Sequence, residues 1–126
     1  IAVIAVGTTL QDALQAAEQA AAEGVSAEVV NLLFVKPLDE ELLHDLGRRF
    51  RTVITVEDGT IEGGAGSAVT EFFEDHGYAM HVIRLGIPDR FIHHGTVAEL
   101  KALCGYDAEG IRRTLLDAAR TQAQEA

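Results

Sequence analysis

Residues 1–35 read IAVIAVGTTLQDALQAAEQAAAEGVSAEVVNLLFV, which is an apolar run, a helical stretch and a second apolar run. The two apolar runs, at 1–6 and 27–35, are rich in Val and Ile and have the length of buried β-strands. Between them, a three- and four-residue spacing of apolar side chains predicts an amphipathic helix. The side chains with this spacing are Leu10, Ala13, Leu14, Ala17 and Ala21.

Helix start and stop signals support the same pattern along the rest of the chain. Thr8 or Thr9 is expected to cap the first helix, and Gly24 is expected to end it. Asp39 is expected to cap a second helix that begins after Pro37. Further helices are predicted at 67–77, at 96–105 with a capping box at its start, and from about residue 107, with a fraying polar tail at 120–126.

Two more strand-length apolar runs, at 53–56 and 81–85, continue the alternation of strand and helix. Strands that are apolar throughout are typical of a parallel sheet covered on both faces. The predicted fold class is therefore α/β, a three-layer α/β/α arrangement with a mainly parallel sheet, in a single domain over 1–126. In such sheets, ligands and partners gather at the loops beyond the carboxyl ends of the strands. Those loops are predicted at 7–9, 57–67 and 86–95.

Composition narrows the possible partners. The chain has 126 residues, 48% of them hydrophobic, which is enough to form a core. It carries 20 acidic against 10 basic side chains, a formal charge of −10, so neither nucleic acid nor an anionic membrane is an expected partner. Cys104 is the single cysteine, which excludes an internal disulfide and fits a cytoplasmic protein. Cys104 is expected to be a small buried side chain beside Val97 and Leu100. Because the chain opens on Ile1 within a strand, we expect it to be part of a longer polypeptide.

The glycine-rich stretch EDGTIEGGAGS at 57–67 joins a predicted strand to a predicted helix. A Walker phosphate loop would have Lys where Ala65 stands, and the dinucleotide pattern would have glycine at Val69. The carboxylates of Glu57, Asp58 and Glu62 would also repel an anion. We therefore expect the glycines to allow tight turns and close packing against a neighbouring surface, with a ligand loop as the alternative.

The stretch GIPDRFIHHG at 86–95 holds two adjacent histidines. Neighbours in sequence rarely share a metal ion, and His93 and His94 lack the spacing of a metal pair. Asp89 and Arg90 are expected to organise this loop, and one histidine is expected to hydrogen-bond or face a partner domain. The residues alone predict no catalytic group and no metal ligand.

Four segments together resemble the C-terminal domain of the 1-deoxy-D-xylulose-5-phosphate synthases. These segments are NLLFVKPLD (31–39), TVEDG (55–59), GGAGSAV (63–69) and LGIPDRFIHHG (85–95). The first three are similar to transketolase-type C-terminal domains in general, and the last narrows the resemblance to the synthases. The chain departs from the family pattern where Leu32 and Leu33 replace a small residue and Arg, Asp58 replaces Glu, and Ala65 replaces Phe.

The resemblance implies a parent enzyme that uses thiamine diphosphate and Mg²⁺ to join pyruvate and glyceraldehyde 3-phosphate, with release of CO₂, in the non-mevalonate isoprenoid route. In that family the preceding domains bind cofactor and substrates, so this domain is expected to hold no catalytic, cofactor-binding or metal residue. It is expected to pack against the preceding domains and to contribute to a homodimer. The family's domain also opens with an extra antiparallel edge strand, and this chain is expected to begin after it. The expected contact residues are Glu57, Asp58, Gly63, Gly64, Gly66, Ser67, Asp89, Arg90, His93 and His94.

Two alternatives remain open at this point. One is the equivalent domain of a transketolase or of a 2-oxo acid dehydrogenase β subunit, which would use a different acceptor. The other is a free-standing regulatory module, in which the glycine-rich stretch binds a small ligand.

Overall fold

Four parallel strands form one sheet in the computed structural model, which describes residues 1–32, 37–60, 64–88 and 95–125. The strands are β1 (Ala2–Val6), β2 (Glu28–Leu32), β3 (Thr52–Thr60) and β4 (His81–Ile87), in the spatial order β2-β1-β3-β4. All three strand pairs are parallel. The predicted strands are confirmed within the described residues, and the predicted extension of β2 over 33–35 lies outside them.

Helices cover both faces of the sheet, which confirms the three-layer α/β/α prediction. They are α1 (Leu10–Ala22), α2 (Glu40–Arg49), α3 (Ala65–Asp75), α4 (Val97–Cys104) and α5 (Ala108–Glu125), and a single 3₁₀ turn (Gly7–Thr9) precedes α1. Alternate residues of β1 face opposite layers, as the two-residue period of a strand requires. Val3 and Ala5 pack with α1 and α5, whereas Ala2 and Ile4 pack with α2 and α3. None of the described helices has the length and apolarity of a membrane span.

Three of the helices begin with a side-chain cap. The Asp39 carboxylate accepts a hydrogen bond of 3.1 Å from the backbone N–H three residues further on, as predicted. The Thr96 hydroxyl accepts one of 3.1 Å in the same way, and the Asp107 carboxylate one of 2.8 Å. The predicted stop between α4 and α5 is also present, since Gly105 adopts a φ of +76°.

The buried face of α1 differs from the prediction. Ala13, Ala16 and Ala20 are fully buried, whereas Leu14 is 45% exposed and Ala21 is exposed. Alanine occurs on several sides of this helix, so the apolar periodicity in the sequence did not define one face. In the structure, the small side chains of Ala13, Ala16 and Ala20 form the buried face, because they allow α1 to pack closely against the sheet and α5.

The glycine-rich segment is shorter than predicted at both ends. Strand β3 continues to Thr60, where it pairs with Ile87 after a shift of register beyond Val56. Helix α3 begins at Ala65, two residues before the predicted start. Residues 57–60 are therefore strand and residues 65–67 are helix, because pairing with β4 and packing on the sheet extend both elements.

The last two helices also differ from the prediction. Helix α5 does not fray at residue 120 but continues to Glu125. Helix α4 buries none of its residues, so Cys104 is only partly buried rather than a core side chain. Val97, predicted to share its apolar face, is 64% exposed because it lies in the first turn of this short helix.

Candidate contact surface at the carboxyl edge of the sheet

Two threonines in the turn after β1 form hydrogen bonds to the end of β3. The Thr8 hydroxyl donates a 2.5 Å hydrogen bond to the Asp58 carboxylate. The buried Thr9 hydroxyl lies 2.9 Å from the carbonyl oxygen of Val6 and 3.0 Å from that of Val56, with which it hydrogen-bonds. The prediction that Thr8 or Thr9 caps α1 with its side chain is wrong. Both hydroxyls instead hydrogen-bond to neighbouring strands.

Asp58 also receives a hydrogen bond from the core. The phenol of Tyr106, which is completely buried between α4 and α5, donates to the second carboxylate oxygen at 3.2 Å. Burial, together with the neighbouring carboxylate of Asp58, raises the pKa of Tyr106 to about 12. Exposed Asp58 thus ties three segments together: the turn after β1, the end of β3 and the connection between α4 and α5.

Glu57 points to the other side of β3 and is buried, with 6% of its surface exposed. Its Oε2 atom accepts a 2.7 Å hydrogen bond from the backbone N–H of Ala65, at the start of α3. Burial raises the pKa of this carboxyl group, against the opposing effects of the Ala65 and Gly66 backbone N–H groups and of Arg84. The amino end of α3 is therefore occupied by a carboxyl group of the chain itself.

Gly66 allows α3 to approach the sheet closely. A β-carbon at this position would lie 2.6 Å from the hydroxyl oxygen of Thr55 and 3.0 Å from Cγ of Arg84. Arg84 in turn donates a 3.0 Å hydrogen bond to the Ser67 hydroxyl, which joins β4 to the first turn of α3. Close backbone packing was expected of these glycines, but for Gly66 the neighbouring surface is the chain's own sheet.

Five of the ten expected contact residues lie in the described part of the chain. Glu57, Asp58, Gly64, Gly66 and Ser67 lie together at the carboxyl edge of the sheet. Glu57 and Gly66 are buried, Gly64 and Ser67 are half-buried, and Asp58 is exposed. The other five lie outside the described residues, namely Gly63, Asp89, Arg90, His93 and His94.

Sequence reasoning missed Thr8 and Tyr106 as members of this site. Thr8 stands in a loop that was predicted at the carboxyl edge, so the adjacency of β1 and β3 in a parallel sheet was a usable signal. Tyr106 carries no such signal, because it is 48 residues from Asp58 and belongs to a helix connection.

The described residues do not fit thiamine diphosphate or Mg²⁺. A diphosphate at the glycine-rich segment would need the backbone N–H groups at the start of α3, and the carboxyl group of Glu57 already accepts from that end of the helix. The exposed carboxylate of Asp58 adds further negative charge at the same edge. Within the described ranges, no group of three or more His, Cys, Asp or Glu side chains has a geometry that could hold a metal. The same arrangement counts against an anionic ligand in a free-standing regulatory module.

Comparison with known families matches residues 1–111 to the model described as "Transketolase, C-terminal domain". The chain therefore belongs to the transketolase C-terminal domain family. Among solved structures, a split gene transketolase has a TM-score of 0.84 and 33% identity over 93% of this chain and 38% of its own. A transketolase from Pichia stipitis, with a TM-score of 0.61 and 20% identity over 92% of this chain and 16% of its own, supports the fold alone.

The most similar curated relatives include two named 1-deoxy-D-xylulose-5-phosphate synthase. The protein from Bacteroides thetaiotaomicron is 54% identical over 117 residues, which is 92% of this chain and 18% of that protein. The protein from Aquifex aeolicus is 52% identical over 116 residues, again 92% of this chain and 18% of that protein. The chain thus spans less than a fifth of the length of these relatives.

Proposed function

We propose that this chain is the C-terminal domain of a thiamine diphosphate-dependent 1-deoxy-D-xylulose-5-phosphate synthase. The observation that carries this proposal is the 54% identity with a synthase over 92% of the chain. The whole enzyme would convert pyruvate and glyceraldehyde 3-phosphate into 1-deoxy-D-xylulose 5-phosphate and CO₂, as a cytoplasmic transferase of isoprenoid precursor synthesis. Thiamine diphosphate and Mg²⁺ would bind in the preceding domains, since the residues described here do not fit them.

Within that enzyme, the domain would act as a scaffold rather than as a source of catalytic groups. The polar side chains at the carboxyl edge support this role, because they bond to the chain itself. Thr8 and Tyr106 donate to Asp58, Glu57 accepts from Ala65, and Arg84 donates to Ser67. Bonds of this kind give the edge a fixed shape, and a fixed surface costs less conformational entropy to dock than a mobile one.

The partners of this surface would be the preceding domains and the second copy of a homodimer. The relatives are more than five times as long as the matched segment, so the whole chain would have ample surface to cover this edge. The split gene transketolase that shares the fold is described as an inactive β4 tetramer. That description agrees with a domain type that takes part in assemblies.

Substitutions at Ser67 and Ser26 in the complete natural polypeptide test the contact role. Ser67 is half-buried at the proposed surface, whereas Ser26 is exposed before β2, at the opposite edge of the sheet. A Ser67→Tyr variant should weaken dimerisation in sedimentation experiments and reduce turnover, while Ser26→Tyr should change neither. Equal behaviour of the two variants, with both folded, would contradict a contact surface at this edge.

A transketolase is the second candidate, favoured by the TM-score of 0.84 with the split gene transketolase. The two enzymes would share a two-carbon transfer but differ in donor. Release of CO₂ from pyruvate supports the synthase, and turnover of a ketose phosphate donor without CO₂ release supports the transketolase.

A further inference from the structure

A cleft of about 290 Å³ opens between edge strand β4 and helix α5. One wall is formed by residues around the starts of β3 and β4, and the other wall by the second half of α5. Ligand pockets in proteins begin at roughly 300 Å³, so the cleft suits a small metabolite rather than a dinucleotide or a macromolecule. Because it lies where β3 and β4 begin, it is at the opposite edge of the sheet from the proposed contact surface.

The two walls of the cleft carry charged side chains of opposite sign. Arg51 and His81 line the sheet wall, whereas Asp117 and Glu125 line the helix wall. Among the described residues, the side chains of Arg51 and Glu125 have no hydrogen-bond or ion-pair partner. Asp117 accepts a long bond of 3.4 Å from the exposed side chain of Arg120. The cleft therefore presents one cationic group and one anionic group that the described part of the chain leaves unpaired.

Apolar and neutral polar side chains complete the lining. Ile83 of β4 is half-buried and Ala118 of α5 is 6% exposed, and both contribute apolar surface. Thr121 and Gln122, also on α5, add side chains that can form hydrogen bonds. An apolar surface with a few convergent polar groups is typical of sites for small molecules. A matching ligand has a short aliphatic body as well as charged groups.

We propose that this cleft binds a free amino acid with an aliphatic side chain. The guanidinium of Arg51 binds the carboxylate, which it can hold through two parallel hydrogen bonds. Glu125 binds the ammonium group. The aliphatic side chain covers Ile83 and Ala118 and so removes their apolar surface from water.

A ligand with a single charge fits this cleft less well. A carboxylate alone leaves Glu125 unpaired and faces the like charge of Asp117, and an ammonium group alone leaves Arg51 unpaired. The competing arrangement is a direct ion pair between Arg51 and Glu125, which would close the cleft. Both side chains are exposed, and an exposed ion pair stabilises a protein by little, so a ligand that pairs with both groups can displace it.

Titration of the complete natural polypeptide with L-leucine tests the site, with the methyl signal of Ile83 followed by NMR. The Ile83→Val variant removes this signal and so assigns it. The signal should shift saturably with L-leucine. Two analogues, 3-methylbutylamine without the carboxylate and 4-methylpentanoate without the ammonium group, should each bind about tenfold more weakly, because each leaves one charged group unpaired.

Substitutions in the two walls assign the charged partners. Arg51→Gln should weaken L-leucine binding about tenfold without weakening the binding of 3-methylbutylamine. Glu125→Gln should weaken the binding of both compounds. The matched control is Arg48→Gln, an exposed arginine of α2 on the other face of the sheet, which should change neither affinity. All three side chains are exposed, so the variants are expected to fold.

Three results would overturn the proposal. The first is no saturable shift of the Ile83 signal up to the solubility limit of L-leucine, as expected if Arg51 pairs with Glu125 or if another domain covers the cleft. The second is equal affinity for L-leucine and 4-methylpentanoate, and the third is unchanged affinity in Arg51→Gln. None of these results depends on the Ser67→Tyr assembly test, because the two sites lie at opposite edges of the sheet.

Discussion

The Tyr106 phenol donates a 3.2 Å hydrogen bond to the carboxylate of Asp58, across 48 residues of sequence. This bond connects the buried junction of α4 and α5 to the exposed end of β3. Thr8 donates to the other oxygen of the same carboxylate. A single exposed side chain therefore depends on the core for its position, and so does the shape of the proposed contact surface.

Replacing Tyr106 by Phe should measure the contribution of this bond. The ring would still fill the core, so the loss should be confined to one hydrogen bond to a charged acceptor, about 1.5–3 kcal/mol in the free energy of unfolding by urea. The matched variant Asp58→Asn retains an acceptor but removes the charge, and should lose less. Double-mutant analysis should give non-additive losses. Additive losses would show that the two groups do not interact.

The pH dependence of stability should also report on Tyr106. Its folded-state pKa of about 12 lies above the value of 10.0 for an ordinary phenol, so the folded protein holds this proton more tightly than the unfolded chain does. This contribution is fully present below pH 10 and is lost as the pH rises toward 12. Unfolding free energies above pH 10 should therefore fall more steeply for the unmodified protein than for Tyr106→Phe. Parallel curves would be inconsistent with a raised pKa.

Gly66→Ala should destabilise the protein through a steric clash. The added methyl group would lie 2.6 Å from the Thr55 hydroxyl, so α3 or the side chain must shift, at a cost of about 1–3 kcal/mol. Adding Thr55→Ala should recover much of the loss because it removes the nearest atom. Thermal unfolding of the single and double variants measures the loss of stability and its recovery. If the double variant recovers no stability, the clash with Thr55 is not the cause of the loss.

Thr96→Ala should loosen α4 selectively. The Thr96 hydroxyl caps this helix, which buries none of its residues and so has little packing to compensate for a lost cap. The cap should contribute about 1 kcal/mol to local stability, and Thr96→Ser should preserve most of it. Amide exchange in α4 is expected to accelerate in Thr96→Ala while exchange in α1 stays unchanged. Equal acceleration in both helices would indicate that the cap supports the whole fold.

The strands and most helix ends could be predicted because their signals are local. Strands buried on both faces are apolar along their length, and Asp39 and Thr96 stand where a capping side chain is needed. The buried face of α1 could not be predicted, because alanines on several sides of the helix give no single apolar stripe. The outcome depended on how closely the sheet and α5 approach the helix, which is a property of the tertiary structure.

The sequence placed loops at the carboxyl edge of the sheet, but it did not predict the bonds between them. A parallel sheet brings the carboxyl ends of its strands to one edge, so the predicted loops at 7–9 and 57–67 share that edge. The role of Glu57 was not predictable, because burial of a carboxyl group depends on how α3 covers it. The hydrogen bond from Tyr106 to Asp58 joins segments that are distant in sequence, and no sequence pattern predicts it.

A single assay tests the central claim most directly. The complete natural polypeptide and this isolated chain would each be supplied with pyruvate, glyceraldehyde 3-phosphate, thiamine diphosphate and Mg²⁺, and CO₂ and 1-deoxy-D-xylulose 5-phosphate would be measured. We expect both products from the complete polypeptide and neither from the isolated chain. Turnover by the isolated chain, or no synthase activity in the complete polypeptide, would contradict a supporting C-terminal domain of this enzyme.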